Sequence, residues 1–346
     1  MMTKHQKCWI IKHYASGDLK GTELELIERP IPSLTKGQVL IKTIILSLDP
    51  SNRIWLSETE DYLPQLALGD VMRGLVIGQI VESRHPHFKI GDYLHTLQGW
   101  QEYAVVDGDS LTPEKGTIRF TPHPDIPLDA YASALGLTGW TAFIGLREIA
   151  QLRAHNNLLV SGAAGATGLL ACQLGKAMHA KVVGIAGGAQ KCHLLETQFQ
   201  LDGSIDYKAT DNLSEAMAQQ FPNGIDVFFD NVGGPMLDAA LENMAIGGTI
   251  VASGSISQYQ KLGDKTQLYG VQNTPLLITK RLKMQGYLIL DHLNQIDHIL
   301  PSLERWLLEG KIQYRNTEVI GLENAQQTLP QLFSGRNTGK LVVSVS

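Results

Sequence analysis

The chain has 346 residues, 43% hydrophobic and 18% charged; it is too long for one ordinary core and apolar enough to fold as about two domains, which excludes a disordered chain. Lys plus Arg is 29 against 34 Asp plus Glu, a net charge of −5, and this argues against a surface built for nucleic acid or anionic membrane. No apolar run nears the ~18 residues of a membrane span, residues 1–12 lack the apolar stretch of a secretory signal, and Cys8, Cys172 and Cys192 contain no Cys-x-x-Cys pair, so neither a disulfide framework nor a structural zinc site is expected and a cytoplasmic location is.

The first 125 or so residues read as β-rich. Residues 39–46 and 76–81 are β-branched runs, 89–93 is a turn feeding a strand, and 102–106 is a further strand. Short strands punctuated by Gly, Pro and Asp predict a small barrel or sandwich. His85-Pro86-His87 lacks neighbouring Cys or acid spacing and reads as a surface loop. Helical content is expected over 129–153, broken around 136–139.

A strand–helix alternation follows. Strands are predicted at 157–161, 181–186, 225–230 and 248–253, with helices at 169–178, from 189 and at 236–244. Continuous apolar strands alternating with helices predict a parallel sheet covered on both faces. From about 310 the strand texture returns, at 314–320 and 340–345 around a helix at 323–333, so the tail is expected to rejoin the first domain.

Gly162-Ala163-Ala164-Gly165-Ala166-Thr167-Gly168 lies between a buried strand and a helix. In that context the glycines admit a pyrophosphate to the backbone, and the helix N-terminus supplies free N–H groups and partial positive charge. A site for NAD usually has an acid after the second strand, for the ribose 2′-hydroxyl. Here the strand runs into Gly187-Gly188-Ala189-Gln190-Lys191, which has no carboxylate and offers Lys191 to a 2′-phosphate. NADP(H) is therefore the expected cofactor.

Several motifs in order resemble one family. They are Ser47-Leu48-Asp49-Pro50-Ser51-Asn52-Arg53, Gly99-Trp100-Gln101-Glu102-Tyr103, residues 135–142, Phe229-Asp230-Asn231-Val232-Gly233-Gly234, Gly254-Ser255-Ile256-Ser257-Gln258-Tyr259 and Gly335-Arg336-Asn337-Thr338-Gly339-Lys340. The chain is similar to the zinc-free medium-chain dehydrogenase/reductases, in particular the prostaglandin reductase, leukotriene B4 dehydrogenase and alkenal double-bond reductase group. The resemblance implies an α/β protein. A GroES-like β-barrel domain, 1–126 with 311–346, would hold the substrate. A Rossmann doubly wound parallel-sheet domain, 127–310, would bind NADP. It also implies NADPH-dependent reduction of the C=C bond of α,β-unsaturated ketones and aldehydes, and a homodimer.

By motif position the resemblance places Gly165, Ala166, Thr167, Gly168, Lys191, Tyr207, Asn231, Ser253, Gly254, Ser255, Ile256, Tyr259, Tyr287, Leu288, Ile289 and Asn337 against the cofactor. Ser51 and Thr167 depart from the family, which often has tyrosine and valine there. Reducing an enone leaves an enolate, which a neutral hydroxyl suits better than a carboxylate. Tyr259 is the candidate catalytic donor, and its other reading is an anchor for the cofactor ribose. Tyr207 either packs on the adenosine or caps the third strand. Asn231 either meets the ribose or forms the turn before Gly233. Arg53 is expected to be an ion-pair partner within its loop, and Cys192 an ordinary helix cysteine. A quinone oxidoreductase, a dehydrogenase of hydroxyl groups and a non-catalytic NADPH-binding sensor are the other readings of these residues.

Overall fold

The computed structural model describes residues 5–58, 61–262 and 264–345. Strands β1 (His5–Ile11) and β2 (Leu24–Pro30) form an antiparallel hairpin. The centre of the first half is β3 (Gln38–Leu48), whose alternating apolar residues put Val39, Ile41 and Ile45 inside. After the short helix α1 (Ser51–Trp55) come β4 (Val76–Ser83), β5 (Tyr93–Thr96), β6 (Tyr103–Asp107) and β7 (Ile118–Phe120). Helix α2 (Leu137–Ile144) then runs into a π turn, Gly145–Ile149; the break expected before it falls at 133–136, and Gly139 lies inside α2.

The second half alternates as the sequence predicts: β8 (Asn157–Val160), α3 (Ala166–Ala177), β9 (Lys181–Ala186), α4 (Ala189–Thr197), β10 (Gly203–Asp206), α5 (Leu213–Gln220), β11 (Ile225–Asp230), α6 (Pro235–Asn243), β12 (Met244–Ala252), α7 (Ile256–Tyr259), α8 (Pro275–Thr279), β13 (Lys283–Gly286) and α9 (Ile296–Leu308). The sheet is parallel, in the order β10-β9-β8-β11-β12-β13. The strand order turns back between β8 and β11. Crossovers leave in opposite directions there, so a crevice opens at the C-terminal ends of those two strands. Two strands carry few apolar residues, so sequence reading gives no bounds for β10, expected only as the third strand that Tyr207 caps, and misses β13. Gly203-Ser204-Ile205-Asp206 has one, and Lys283-Met284-Gln285-Gly286 is an exposed edge held by its pairing with β12.

The tail returns to the first half. Strand β15 (Lys340–Ser344) pairs antiparallel with β3 and parallel with β14 (Asn316–Ile320). The helix expected at 323–333 is instead a 3₁₀ turn and two short helices, Ala325–Thr328 and Gln331–Ser334, with Pro330 between them; proline cannot donate the next helical hydrogen bond.

Two distant motifs meet at this seam. Lys340 is 2% exposed, and its ammonium donates to Leu48 O at 2.6 Å and to Asp49 Oδ1 at 2.7 Å. Asp49 also accepts from Ser47 Oγ. Losing one partner of such a buried pair costs about 3–5 kcal/mol, so these motif residues secure the tail to β3. Arg53 corrects the sequence reading. It is fully buried and donates to Gly17 O and Ser57 Oγ, making no ion pair among the described residues. Neutral acceptors satisfy the guanidinium because Glu23 and Asp18 influence it only from farther away.

Candidate active site

The sequence-predicted cofactor residues follow the C-terminal ends of the sheet strands or lie on the tail. The turn after β8 is tight. Gly162 has φ +59°, and a Cβ on Gly168 would lie 2.3 Å from Gly162 O, a contact only glycine avoids. No side chain caps α3, so the N–H groups of its first turn remain available to an anion. Gly339 N donates to Ala164 O, and Gly165 bridges to Gly339, which brings the tail loop against this turn.

The neighbouring strand end supplies the floor. Asp230 is 2% exposed and accepts from Ser161 Oγ and from the backbone N–H groups of Val232 and Gly233. Burial pushes its carboxyl pKa up, and these hydrogen bonds oppose that push. Asn231 donates its side-chain amide to Ser161 O at 2.7 Å, which ties β11 to β8. Its side-chain oxygen is left for a ligand, so the turn-forming and ligand-facing readings are compatible.

The loop after β12 closes over this floor. Ser253 and Gly254 donate backbone N–H groups to Asp230 O, and Ile256 donates to Asn231 O. The Ser253 hydroxyl is buried with no hydrogen-bond partner. Tyr259 turns its hydroxyl back to accept from Ser255 N at 3.0 Å. Burial first, then the charges of Asp61 and Asp230, raise its pKa, against the Ser255 hydrogen bond. Tyr259 is therefore a neutral phenol whose oxygen is held from behind, with its own hydrogen free to donate.

At the far end, Lys191 donates to the carbonyls of Gly335 (2.9 Å) and Asn337 (2.6 Å). Burial and then the charge of Lys208 lower its pKa. Two ammonium groups thus converge beside Gly187-Gly188. Tyr207 is 43% exposed, and its ring lies so close that a Cβ on Gly187 would sit 2.8 Å from it. The sequence reading missed Lys208, although it directly follows Tyr207, and it missed Asp206. The Asp206 carboxylate accepts from Gly188 N and Lys208 N, so it braces the loop.

Tyr287 stands apart. Its hydroxyl donates to Thr141 O at 2.6 Å, and its ring packs against Gly145. The side chain is engaged with α2; of its neighbours, Ile289 is buried and Leu288 exposed. His85 pairs with Asp109 at 3.1 Å, and no group of three or more His, Cys, Asp or Glu is placed to hold a metal ion among the described residues. Nor is any helix among them long and apolar enough to cross a membrane. A groove of about 480 Å³ between β7 and α9, lined by Asp92, Arg119, Asp297 and Glu304, contains none of the residues above.

Comparison with known proteins shows the family and the fold. Residues 7–113 match the family model for the N-terminal domain of oxidoreductase, and 166–305 match that for zinc-binding dehydrogenase. The chain is 37% identical to the NADP(+)-dependent 2-alkenal reductase of Nicotiana tabacum, over 97% of this chain and 96% of that one. It is 35% identical to the NADPH-dependent curcumin reductase of Escherichia coli strain K12, over 98% and 96%. The crystal structure of CurA from Vibrio vulnificus in complex with NADPH superimposes with a TM-score of 0.89 at 32% identity, covering 98% of this chain and 99% of that one. The chain belongs to the zinc-free medium-chain dehydrogenase/reductases, with their GroES-like and Rossmann halves.

Proposed function

We propose that the protein is an NADPH-dependent reductase of the carbon–carbon double bond in small α,β-unsaturated ketones and aldehydes. The NADP(H) assignment draws on the NADP-dependent relatives and the NADPH-bound neighbour. It also fits this chain's own residues: an uncapped α3 turn, a segment after β9 (187–191) that carries no acid of its own, and two lysines, Lys191 and Lys208, beside the 187–188 loop. The glycine turn and α3 would hold the pyrophosphate, with Lys191 and Lys208 at the adenosine end. Asn231 and the 253–259 loop would take the nicotinamide ribose. When bound, NADPH supplies the hydride.

One observation carries the reductase reading: a neutral phenol, Tyr259, beside the strand-end crevice with its hydrogen free. Its hydroxyl donates to the carbonyl oxygen as negative charge develops there, and a buried neutral donor does this without repelling the enolate. Replacing it by Phe keeps the ring. We expect kcat to fall about 10- to 1,000-fold while NADPH Kd changes less than about tenfold, or 1.4 kcal/mol. A single-turnover rate unchanged at saturating NADPH would leave Tyr259 as a ribose anchor only. NADPH oxidation with enone and quinone panels tests the substrate class, and turnover of quinones alone would overturn it. Activity should survive chelation. The open edge of β13, with Met284 43% and Ile278 80% exposed nearby, suits pairing with a second copy, which sedimentation would read as a dimer.

A further inference from the structure

Tyr259 is carried by a very short element. Helix α7 is a single turn in which no residue is buried and no side chain caps the N-terminus. A helix of that length does not hold itself, so the place of the phenol is set by contacts outside the turn. One set comes from the floor of the site. Ser257 donates its hydroxyl to Val232 O at 2.6 Å. The turn after β11 lies so close that a Cβ on Gly233 would sit 2.5 Å from Ser255 Oγ, and one on Gly234 3.0 Å from Ser257 Oγ. Both glycines have positive φ, a conformation that glycine adopts without strain.

The other set runs through Gln258, the residue before Tyr259. Its Nε2 donates to Ser257 Oγ at 2.8 Å, and its Oε1 accepts from the backbone N–H of Tyr269 at 2.9 Å. Tyr269 in turn donates its hydroxyl to Asp238 Oδ2 at 2.7 Å. Asp238 lies on α6 and is 6% exposed. A carboxylate that deep has to be hydrogen-bonded, and this one also accepts from Gln272 N and Asn273 N. Its neighbours Leu237, Ala240 and Leu241 are buried in the core of the parallel-sheet half. The carboxylate is therefore a fixed post, and Tyr269 and Gln258 connect it to α7.

We propose that Gln258 and Tyr269 are positioning residues for Tyr259, with Asp238 as the anchor to which they tie it. Both act through α7, and neither exchanges a proton. The Tyr259 hydroxyl oxygen accepts from Ser255 N at the start of this turn, so a turn that drifts takes the phenol with it. Misplacing a reacting group by about 1 Å can cost about 100-fold in rate. This rests on the reading of Tyr259 as the donor to the carbonyl oxygen.

The test compares wild type, Gln258→Met, Tyr269→Phe, Tyr259→Phe, and each of the first two combined with Tyr259→Phe, using benzylideneacetone and saturating NADPH. Gln258→Met keeps the length of the side chain and removes both of its hydrogen bonds. Tyr269→Phe keeps the ring and the backbone bond to Gln258. The single-turnover rate should fall about 10- to 100-fold in Gln258→Met. In Tyr269→Phe it should fall about threefold to tenfold, part of what one hydrogen bond to a charged acceptor is worth. Amide hydrogen exchange over 253–259 should speed up in both, because the Ser255 N–H loses a fixed acceptor. Both residues are half-buried, so Tm should hold. In the Tyr259→Phe background neither substitution should slow the reaction further, since the hydroxyl they position is gone. Losses of full size in that background would overturn the inference, by showing that the two residues act elsewhere. Unchanged exchange over 253–259 would overturn it too, as would unchanged rates in both variants beside a slow Tyr259→Phe. Tyr259→Phe that reacts at the wild-type rate would instead sink the donor reading, and the exchange comparison would still decide whether Gln258 and Tyr269 hold α7 in place.

Discussion

The two ends of the cleft are made differently. The nucleotide end is built by backbone: a turn that only glycine can form, an uncapped helix, and strand ends joined by Ser161, Asp230 and Asn231. The connection between α1 and β4, in the other half, is held by side chains, where Tyr62, Trp55 and Arg73 support one another. Backbone recognition needs a few residue types at fixed spacing, so it tolerates little change. A side-chain wall can be rebuilt residue by residue. One fold can thus keep its cofactor while its substrates vary.

The sharpest way to break that comparison is Gly168→Ala. The new Cβ would meet Gly162 O at 2.3 Å and Gly162 C at 2.8 Å, and backbone atoms cannot swing aside. We expect about 2–3 kcal/mol of lost stability and loss of measurable NADPH binding at micromolar protein, read by thermal melts and fluorescence titration. Normal NADPH affinity in this variant would show that the turn is not the pyrophosphate cradle.

Lys191→Ala separates phosphate recognition from simple strapping. The ammonium both holds the 335–337 carbonyls and faces the acid-free end of β9. A charge-assisted contact is worth roughly 1.5–3 kcal/mol, so NADPH should weaken about 10- to 100-fold and NADH much less. Equal weakening of the two would make the lysine a strap for the tail loop.

Much of the nucleotide end was legible because its signals are local. The glycine spacing, the missing acid and the apolar strands all lie within short windows, and their strands appear where periodicity puts them. The assembly of Trp55, Tyr62 and Arg73 was not legible, because these side chains come together only when the 51–73 segment folds. The roles of Asp49 and Lys340 were hidden for the same reason. Each motif reads as conspicuous alone, but the buried ion pair that explains both appears only when β15 pairs with β3. Arg53 was misread because the sequence offers nearby acids, whereas the fold presents Gly17 O and Ser57 Oγ.

Acid should act on the two halves with opposite sign. His95 on β5 is 1% exposed, packed between Phe120 and Trp140, with neither ring nitrogen bonded. Burial lowers its pKa from 6.5 to about 3. The unfolded chain therefore takes up a proton below pH 6.5 that the folded state refuses, and stability falls from there down toward pH 3. At pH 5 the loss is about 2 kcal/mol relative to neutral pH. Asp230, in the other half, has a raised pKa from burial. The folded state takes up its proton first, so that group adds stability as pH falls through its folded value. Urea melts at pH 5 and 7.5 on wild type and His95→Leu should show the acid loss shrinking in the variant; an equal loss in both would place the sensitivity elsewhere.

The smallest expected effect is at Lys208, and it sharpens the comparison most finely. Its backbone N–H is held by Asp206, so the chain path does not depend on the ammonium. The side chain is exposed, and its charge acts on Lys191 across the 187–188 loop. An exposed cation of this kind is worth about 0.2–1 kcal/mol, so Lys208→Ala should weaken NADPH only about 1.5- to fivefold. The loss should shrink as salt rises, because exposed charges are screened over roughly 8–10 Å at physiological ionic strength. NADH affinity should not move. Removing Lys208 also relieves the repulsion on Lys191, so the double variant should lose more than the sum of the two single free-energy changes. Simple additivity would mean that the two lysines do not share one phosphate. A loss that persists undiminished in high salt would mean that Lys208 shapes the Gly187-Gly188 loop and contributes no charge to the site.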